Sequence, residues 1–183
     1  MKNTELQKLT SVMENENLSV TQVIELIENQ KRESAKSVGD EIKLTIDYTK
    51  TVEQVISDGN YDYKNSNVTS ENFPISPEMV GKKVEVSAKL FHFNWDISSE
   101  DAISEMDKDG FRPATAMELL VLGFLFPELQ TKFPIVALGS VWRDADDDRY
   151  VPYLDVDDSE RGLYLSWFDG NCGALCRFLG VRK

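Results

Sequence analysis

Three aspartates at alternate positions form the most regular set of oxygen ligands in the sequence. Asp144, Asp146 and Asp148 are separated by one residue each, and Asp155 follows eleven residues after the first. Calcium loops supply their oxygen ligands in this rhythm. However, Arg149 stands where such a loop needs glycine, and the bidentate glutamate is missing. Two alternatives stay open, a calcium loop and a solvated acidic hairpin turn, and we favour the turn.

Histidine and cysteine are too scarce to predict a catalytic site. His92 is the only histidine, so there is no metal triad, and we interpret it as a hydrogen-bonded strand residue. The two cysteines, Cys172 and Cys176, are too few and too close for the disulfide framework of a secreted protein, and we expect thiols. We predict no catalytic residue, no metal ligand and no cofactor from these residues.

The stretch from Asp144 to Asn171 has the composition of a recognition surface. Short runs of Asp, Ser, Gly, Asn and Tyr interrupt an apolar scaffold that includes Trp167 and Phe168. Aromatic rings give rigid anchors and small polar residues give adaptable contacts, and loop residues are free of packing constraints. Turns use the same polar residues, so a purely structural role is the alternative.

Composition and charge limit the partners. A chain of 183 residues with 41% hydrophobic residues can bury a sizeable core. Its net charge of −12 repels phosphate backbones and anionic lipids, which argues against nucleic acid and membrane partners. The N-terminus shows neither a signal peptide nor a continuous apolar span, so we expect a cytoplasmic protein.

Residues 1–40 are predicted to form a helical appendage. Apolar residues recur at helical spacing in two segments, and Ser19 with Gln22 has the spacing of a capping box. Each helix has a polar face opposite its apolar stripe, so the stripe needs a cover. Docking on the rest of the chain and self-association with another copy are both open.

From residue 41 onward the pattern changes to mixed strands and helices. We predict strands over 42–48 and 84–93, a helix after the Thr51 capping box, irregular coil over 59–80, and a capped helix ending at Gly110. Thr115 and Glu118 open a helix that is apolar on nearly every side over 119–126, which predicts a buried core helix. The remaining chain is predicted to form three or four short strands with acidic turns at 144–148, 155–161 and 169–173.

Two motifs resemble those of a known fold. The segment 112–119 (RPATAMEL) resembles the Arg-Leu-Pro-Thr-x-x-Glu-Trp motif of the formylglycine-generating branch of the C-type lectin fold, and 176–182 (CRFLGVR) resembles its terminal Gly-Phe-Arg-x-x-Arg strand. The resemblance covers roughly residues 84–183 and departs from the family at 139–142, where Gly-Gly-Ser-Trp is usual. Residues 42–183 also resemble uncharacterised bacterial proteins that end in Cys-Arg-Phe-Leu-x-Val-Arg-Lys.

The resemblance implies a C-type-lectin-like α+β domain with small antiparallel sheets, a buried helix, and N- and C-terminal strands that pair. It also implies that the second half projects a binding face, as in the variable proteins of diversity-generating retroelements. Under that interpretation the ligand-binding residues are Tyr150, Tyr153, Asp155, Asp157, Asp158, Tyr164, Ser166, Asp169 and Asn171. The scaffold residues are Leu163, Leu165, Trp167, Phe178 and Val181, with Trp167 and Phe178 pointing inward.

The resemblance also supplies an enzymatic alternative. Formylglycine-generating enzymes carry a copper-binding cysteine pair near the position of Cys172 and Cys176, and closely spaced thiolates suit monovalent copper. The family separates its pair by one more residue, and its catalytic members are longer. We therefore prefer a non-catalytic domain over residues 41–183 that binds a protein or another ligand, and keep a copper-dependent oxidase as the alternative.

Overall fold

The computed structural model describes residues 41–183. The predicted helical appendage at 1–40 lies outside this range, and so do its two open alternatives, docking on the rest of the chain and self-association. The strands are β1 (Ile42–Asp47), β2 (Tyr63–Lys64), β3 (Lys83–Phe91), β4 (Ile97–Ser98), β5 (Phe111–Pro113), β6 (Ile135–Val136), β7 (Trp142–Arg143), β8 (Arg149–Asp157), β9 (Glu160–Trp167), β10 (Asn171–Cys172) and β11 (Arg177–Arg182). The helices are α1 (Val52–Gly59), α2 (Ser99–Lys108) and α3 (Ala116–Leu125).

Most strands belong to one mixed sheet of nine strands. Its order is β1-β3-β11-β6-β8-β9-β2, with β5 paired to β11 and β7 paired to β8, while β10 and β4 form a separate pair. The α+β class is confirmed, but the prediction of small antiparallel sheets is wrong for the main sheet. Two short strands cause the difference. Strand β6 pairs in parallel with β11 and antiparallel with β8 and so joins two antiparallel groups, and β2 pairs in parallel with β9.

The C-terminal strand β11 lies inside this sheet and does not pair with the N-terminal strand β1, contrary to what the resemblance implied. Both pair with β3, which lies between them. Ala88 of β3 has Ile42 as its partner on one side and Val181 on the other. The long strand β3 therefore replaces the direct pairing that the resemblance implied.

Alternation along the strands divides the core between the two faces of the sheet. Leu179 belongs to the cluster that packs with α1 and α3, whereas its neighbour Phe178 belongs to the cluster that packs with α2. Phe178 is 2% exposed, which confirms its predicted inward position. The α2 cluster is rich in phenylalanine, and the rings of Phe91 and Phe111 meet edge to face with centroids 5.2 Å apart.

The helices begin where the sequence predicts. The side chains of Thr51 and Thr115 each accept a hydrogen bond from the backbone amide of the third helical residue. The side chains of those residues, Gln54 and Glu118, accept the backbone amides of Thr51 and Thr115. Ser98 caps α2 by accepting the backbone amide of Asp101, and its hydroxyl donates to the carboxylate of the same residue. The first eight residues of α3 are buried, which confirms the predicted core helix and fixes the middle of the fold.

Candidate binding face

The hairpin of β8 and β9 carries the centre of the candidate site. Its turn consists of Asp158 and Ser159 alone, with φ of 46° and 73°, the left-handed values that a two-residue hairpin turn requires. The predicted acidic turn over 155–161 is therefore wrong, because β8 continues to Asp157 and β9 starts at Glu160. Most of this segment is paired strand and not free loop.

The register brings five of the nine predicted ligand-binding residues onto one face. Tyr153 pairs with Tyr164 across the hairpin, and Asp155 pairs with Gly162. Side chains of alternate residues point to the same side of a strand, and paired residues share a side. The five that share this face are Tyr153, Asp155, Asp157, Tyr164 and Ser166.

Three tyrosine rings stack along this face. The ring centroids of Tyr153 and Tyr164 are 5.3 Å apart, and those of Tyr164 and Tyr63 are 4.9 Å apart, with interplanar angles of 29° and 22°. Tyr63 lies in β2, within the stretch predicted to be irregular coil, so its place in the stack is not predicted from the sequence. We call the group of Tyr63, Tyr153, Tyr164, Asp155, Asp157 and Glu160 the tyrosine face.

Gly162 makes room for this stack. A Cβ atom at Gly162 would overlap the ring of Tyr164, which lies over the glycine on the same strand. Gly162 is also the partner of Tyr63 in the parallel pair of β2 and β9. A strand glycine commonly marks such a close approach, and here it lets the ring of Tyr164 reach that of Tyr63.

The tyrosine face is anionic and open to solvent at its edge. Burial raises the pKa of the Tyr164 hydroxyl, and the carboxylates of Asp157 and Asp155 raise it further. Among residues 41–183, no ion pair includes Asp155, Asp157 or Glu160. The ring of Tyr63 is 47% exposed at the end of the stack. The face thus offers an aromatic surface beside carboxylates that no described cation neutralises.

Arg161 connects the side of the hairpin opposite the tyrosine face to the rest of the fold. Its guanidinium group donates to the carbonyl oxygens of Gly59 at 2.9 Å and Gly123 at 2.8 Å, and to Oε1 of Gln130 at 3.0 Å. Gln130 in turn donates to the carbonyl oxygen of Asp155 at 2.7 Å. These bonds join the ends of α1 and α3 to the hairpin, so the tyrosine face rests on a fixed support. Neither residue is predicted as a support from the sequence, because the pattern places Arg161 in a turn and gives no signal for Gln130.

The other four predicted ligand-binding residues do not join the tyrosine face. Tyr150 lies on the opposite side of the hairpin, where its ring centroid is 5.5 Å from that of Trp142. Asp158 is in the turn, and Asn171 pairs with Ser98 in the small sheet. The prediction of one continuous surface is wrong for these positions, because two-residue alternation and two separate sheets divide them.

Asp169, the fourth of these residues, belongs to an ion-pair network. Arg149 donates through Nε to Asp169 Oδ2 at 3.1 Å, and its Nη2 lies 3.1 Å from Glu100 Oε1. The hydrogen bond from Arg149 lowers the pKa of Asp169. This network links the end of β9 to α2 and gives Asp169 a structural role.

Trp167 does not hold the scaffold as predicted. Its side chain is 63% exposed, whereas Leu163 and Val181 of the same predicted set are buried and Leu165 is half-buried. Trp167 is the last residue of β9 and pairs with Tyr150 at the end of the hairpin farthest from its turn. An inward position is therefore wrong for Trp167, although the rest of the strand follows the expected alternation.

The two cysteines are joined in a disulfide bond. The prediction of thiols is therefore wrong, because the turn in which the amide of Cys176 donates to the carbonyl of Gly173 brings the two side chains together. His92 lies just beyond β3, and its Nε2 is 2.9 Å from the carbonyl oxygen of Ala174 in the same loop. While the disulfide is intact, neither sulfur is the thiolate that monovalent copper requires.

The alternating aspartates close the hairpin between β7 and β8. Oδ1 of Asp144 accepts the backbone amides of Asp146 and Asp148, each at 3.0 Å, and Arg143 donates to Oδ1 of Asp147 at 2.9 Å. Within residues 41–183, no three His, Cys, Asp or Glu side chains converge in a way that would hold a metal ion. The hydrogen bonds describe an acidic turn.

Comparisons with family models, with curated proteins and with solved structures find no match for this chain. Of the helices within residues 41–183, none is long and apolar enough to cross a membrane.

Proposed function

We propose that this protein is a non-catalytic recognition domain whose tyrosine face binds a lysine- or arginine-rich segment of a partner protein. The observation that supports this function is the stack of Tyr63, Tyr164 and Tyr153 beside the carboxylates of Asp155 and Asp157. A cationic side chain gains from both groups at once, because aromatic faces attract cations and carboxylates accept their hydrogen bonds.

The charge of the whole chain favours the same class of partner. A net charge of −12 accelerates the approach of a basic segment and disfavours an acidic one. The exposed outer side of Tyr63 provides a surface for a guanidinium or ammonium group at the end of the stack. The bonds of Arg161 hold the hairpin in place, so little ordering cost is expected on binding.

We further propose that the domain is C-type-lectin-like and related to the variable proteins of diversity-generating retroelements. The C-terminal strand within the main sheet and the core helix opened by Thr115 and Glu118 support this proposal. Under it, differences between close homologues concentrate at the five predicted positions on one side of the hairpin, Tyr153, Asp155, Asp157, Tyr164 and Ser166. The relationship is contradicted if the differences between homologues are spread evenly over 144–171, or if they concentrate at Tyr150, Asp169 and Asn171.

A binding measurement with a matched charge control tests the recognition of cations. The probe is a fluorescently labelled lysine-rich peptide, and its affinity is measured by anisotropy at two salt concentrations. The test variant is Asp155→Asn with Asp157→Asn, and the control is Asp146→Asn with Asp148→Asn, which removes the same charge from the exposed β7–β8 turn. Tyr63→Ala tests the exposed ring separately.

We expect the test variant to bind the peptide at least about tenfold more weakly than the control variant, since a lost charge-assisted contact costs about 1.4 kcal/mol or more. Binding by the unchanged protein should weaken with salt. Equal losses in the two double variants would show that only total charge attracts the peptide, and would refute a site on the tyrosine face. Unchanged binding by Tyr63→Ala would remove the aromatic contact from the proposal.

A further inference from the structure

A concave region lies away from the tyrosine face, between the segment 73–79 and the start of α3. It encloses about 520 Å³. Its walls include Phe73, Ile75, Met79 and Met117, and its polar groups include Arg112 and Ser140. Small-molecule sites in proteins have this size and this mixture of apolar walls with a few polar groups.

The apolar walls determine the body of a ligand. Phe73 belongs to the segment that covers the cleft, and Met117 belongs to the first turn of α3. Both are buried residues that also form part of the main core. Water has few partners on such walls, whereas an aliphatic or aromatic group gains from burial there.

Arg112 provides donors at the edge of the cleft. Its guanidinium group donates through Nη1 to the carbonyl of Pro113 and to Glu118, and through Nη2 to Glu118. These bonds use three of the five N–H donors of an arginine. The Nε hydrogen and the second Nη2 hydrogen, which share one edge of the guanidinium plane, have no acceptor among residues 41–183. One oxygen atom can accept from both.

Ser140 provides another donor near the start of α3. Its Oγ accepts the backbone amide of Ala116 at 3.0 Å, so its own hydroxyl proton is directed elsewhere. No acceptor for that proton occurs among the described residues. Two separate side chains that line the cleft therefore offer hydrogen atoms to an oxygen acceptor.

The charges around the cleft determine the nature of that acceptor. The wholly buried carboxylate of Glu118 neutralises Arg112, and Glu78 adds another carboxylate to the lining. A carboxylate on the ligand would add further negative charge beside these two groups. We infer that the cleft binds a small uncharged molecule with an apolar or aromatic body and a carbonyl oxygen, such as an amide, that accepts hydrogen bonds from Arg112 and Ser140.

A matched pair of probes tests this inference on the full chain. The probes are N-benzoylphenylalaninamide and N-benzoylphenylalanine. They are identical except that the uncharged terminal amide of the first is a carboxylate in the second. Methionine methyl NMR locates the binding, because Met79 and Met117 line the cleft, whereas Met106 lies in the α2 cluster on the other face of the sheet. We expect saturable shifts at Met79 and Met117 but not at Met106, and at least about tenfold tighter binding of the amide.

Two adjacent tryptophan substitutions provide the control. Met79→Trp fills the cleft and should abolish the shift of Met117, while Val80→Trp places the same ring at a neighbouring residue that is 61% exposed and should leave binding unchanged. If Met79→Trp does not fold, Ser140→Ala replaces it and should weaken the amide at least about threefold. Absence of saturable shifts, tighter binding of the carboxylate, or equal effects of the two tryptophans would overturn the inference.

Discussion

Arg112 and Glu118 form an ion pair with two hydrogen bonds, in which Nη1 and Nη2 lie 3.0 and 2.6 Å from the two oxygens of a carboxylate that is wholly buried. The same carboxylate accepts the amide of Thr115 at 2.7 Å and so completes the capping box of α3. One acidic side chain thus fastens β5 to the start of the core helix. This explains in physical terms why the motif at 112–118 has an arginine, a threonine and a glutamate at these spacings.

Arg112→Met should destabilise the fold strongly. The substitution leaves the wholly buried charge of Glu118 without its partner. Because the Arg112 side chain is 39% exposed, the cost is below that of a fully buried pair, at about 2–3 kcal/mol. The matched control is Arg143→Met, because Arg143 pairs with Asp147, whose side chain is 82% exposed, and such pairs contribute less than about 1 kcal/mol. Urea unfolding measures both losses. Similar values for the two variants would contradict a dominant role for the pair at α3.

Gly162→Ala should disrupt the tyrosine stack. The new Cβ atom would overlap the ring of Tyr164, and overpacking of this kind costs about 1–3 kcal/mol. Gly170→Ala is the control, because a Cβ atom there would meet Trp167 at ordinary distances of 3.6 and 3.8 Å. Urea unfolding gives the stability, and near-ultraviolet circular dichroism reports the tyrosine environment. The outcome that would contradict this stack is an unchanged spectrum in Gly162→Ala.

Local signals in the sequence correctly predicted the three helices and the strands β1 and β3. The capping boxes of α1 and α3 need only two side chains three residues apart, and both form as expected. The alternation in β1 and β3 is visible over six or more residues, so it is also correctly predicted. These signals can be recognised in the sequence because the residues that produce them are close together in the chain.

Contacts between distant segments were not predictable from local patterns. Strands β2 and β6 have two residues each, too few to show a period, and they exist because β9, β8 and β11 supply their partners. The hairpin turn lacks the usual glycine or asparagine. Asp158 and Ser159 adopt its left-handed φ values instead. The acidic run around it therefore predicts a broad loop. Tyr63, which completes the tyrosine face, is not predicted because its strand β2 is too short to show a period.

Chemical titration should find both cysteines oxidised. In denatured protein that is alkylated at cell lysis, no thiol should react before a dithiol reductant is added, and both cysteines should react afterwards. This result bears on the predicted cytoplasmic location, because cytosolic thiols are normally kept reduced. Two reactive thiols before reduction would contradict the disulfide. Copper binding that requires reduction and is lost in Cys172→Ser would then favour the oxidase alternative.

Glu53 should make the fold sensitive to acid. Its carboxylate accepts the backbone amide and the hydroxyl of Ser70, each at 2.6 Å, and the hydroxyl bond is the main reason that its pKa falls from 4.5 to about 2. Because the folded state holds this proton less tightly than the unfolded state, the stabilisation is present above pH 4.5 and is lost as the pH falls towards 2. The exposed position limits it to about 0.5–1 kcal/mol.

The variant Glu53→Gln should therefore lose stability at neutral pH and show a shallower decline in the free energy of unfolding between pH 4.5 and 2. Glu71→Gln is the control, since Glu71 is exposed and its side chain makes no hydrogen bond within residues 41–183. Urea unfolding across this pH range measures the slopes. If the two variants decline in parallel with the unchanged protein, the bond between Glu53 and Ser70 does not hold the segment after β2 to α1.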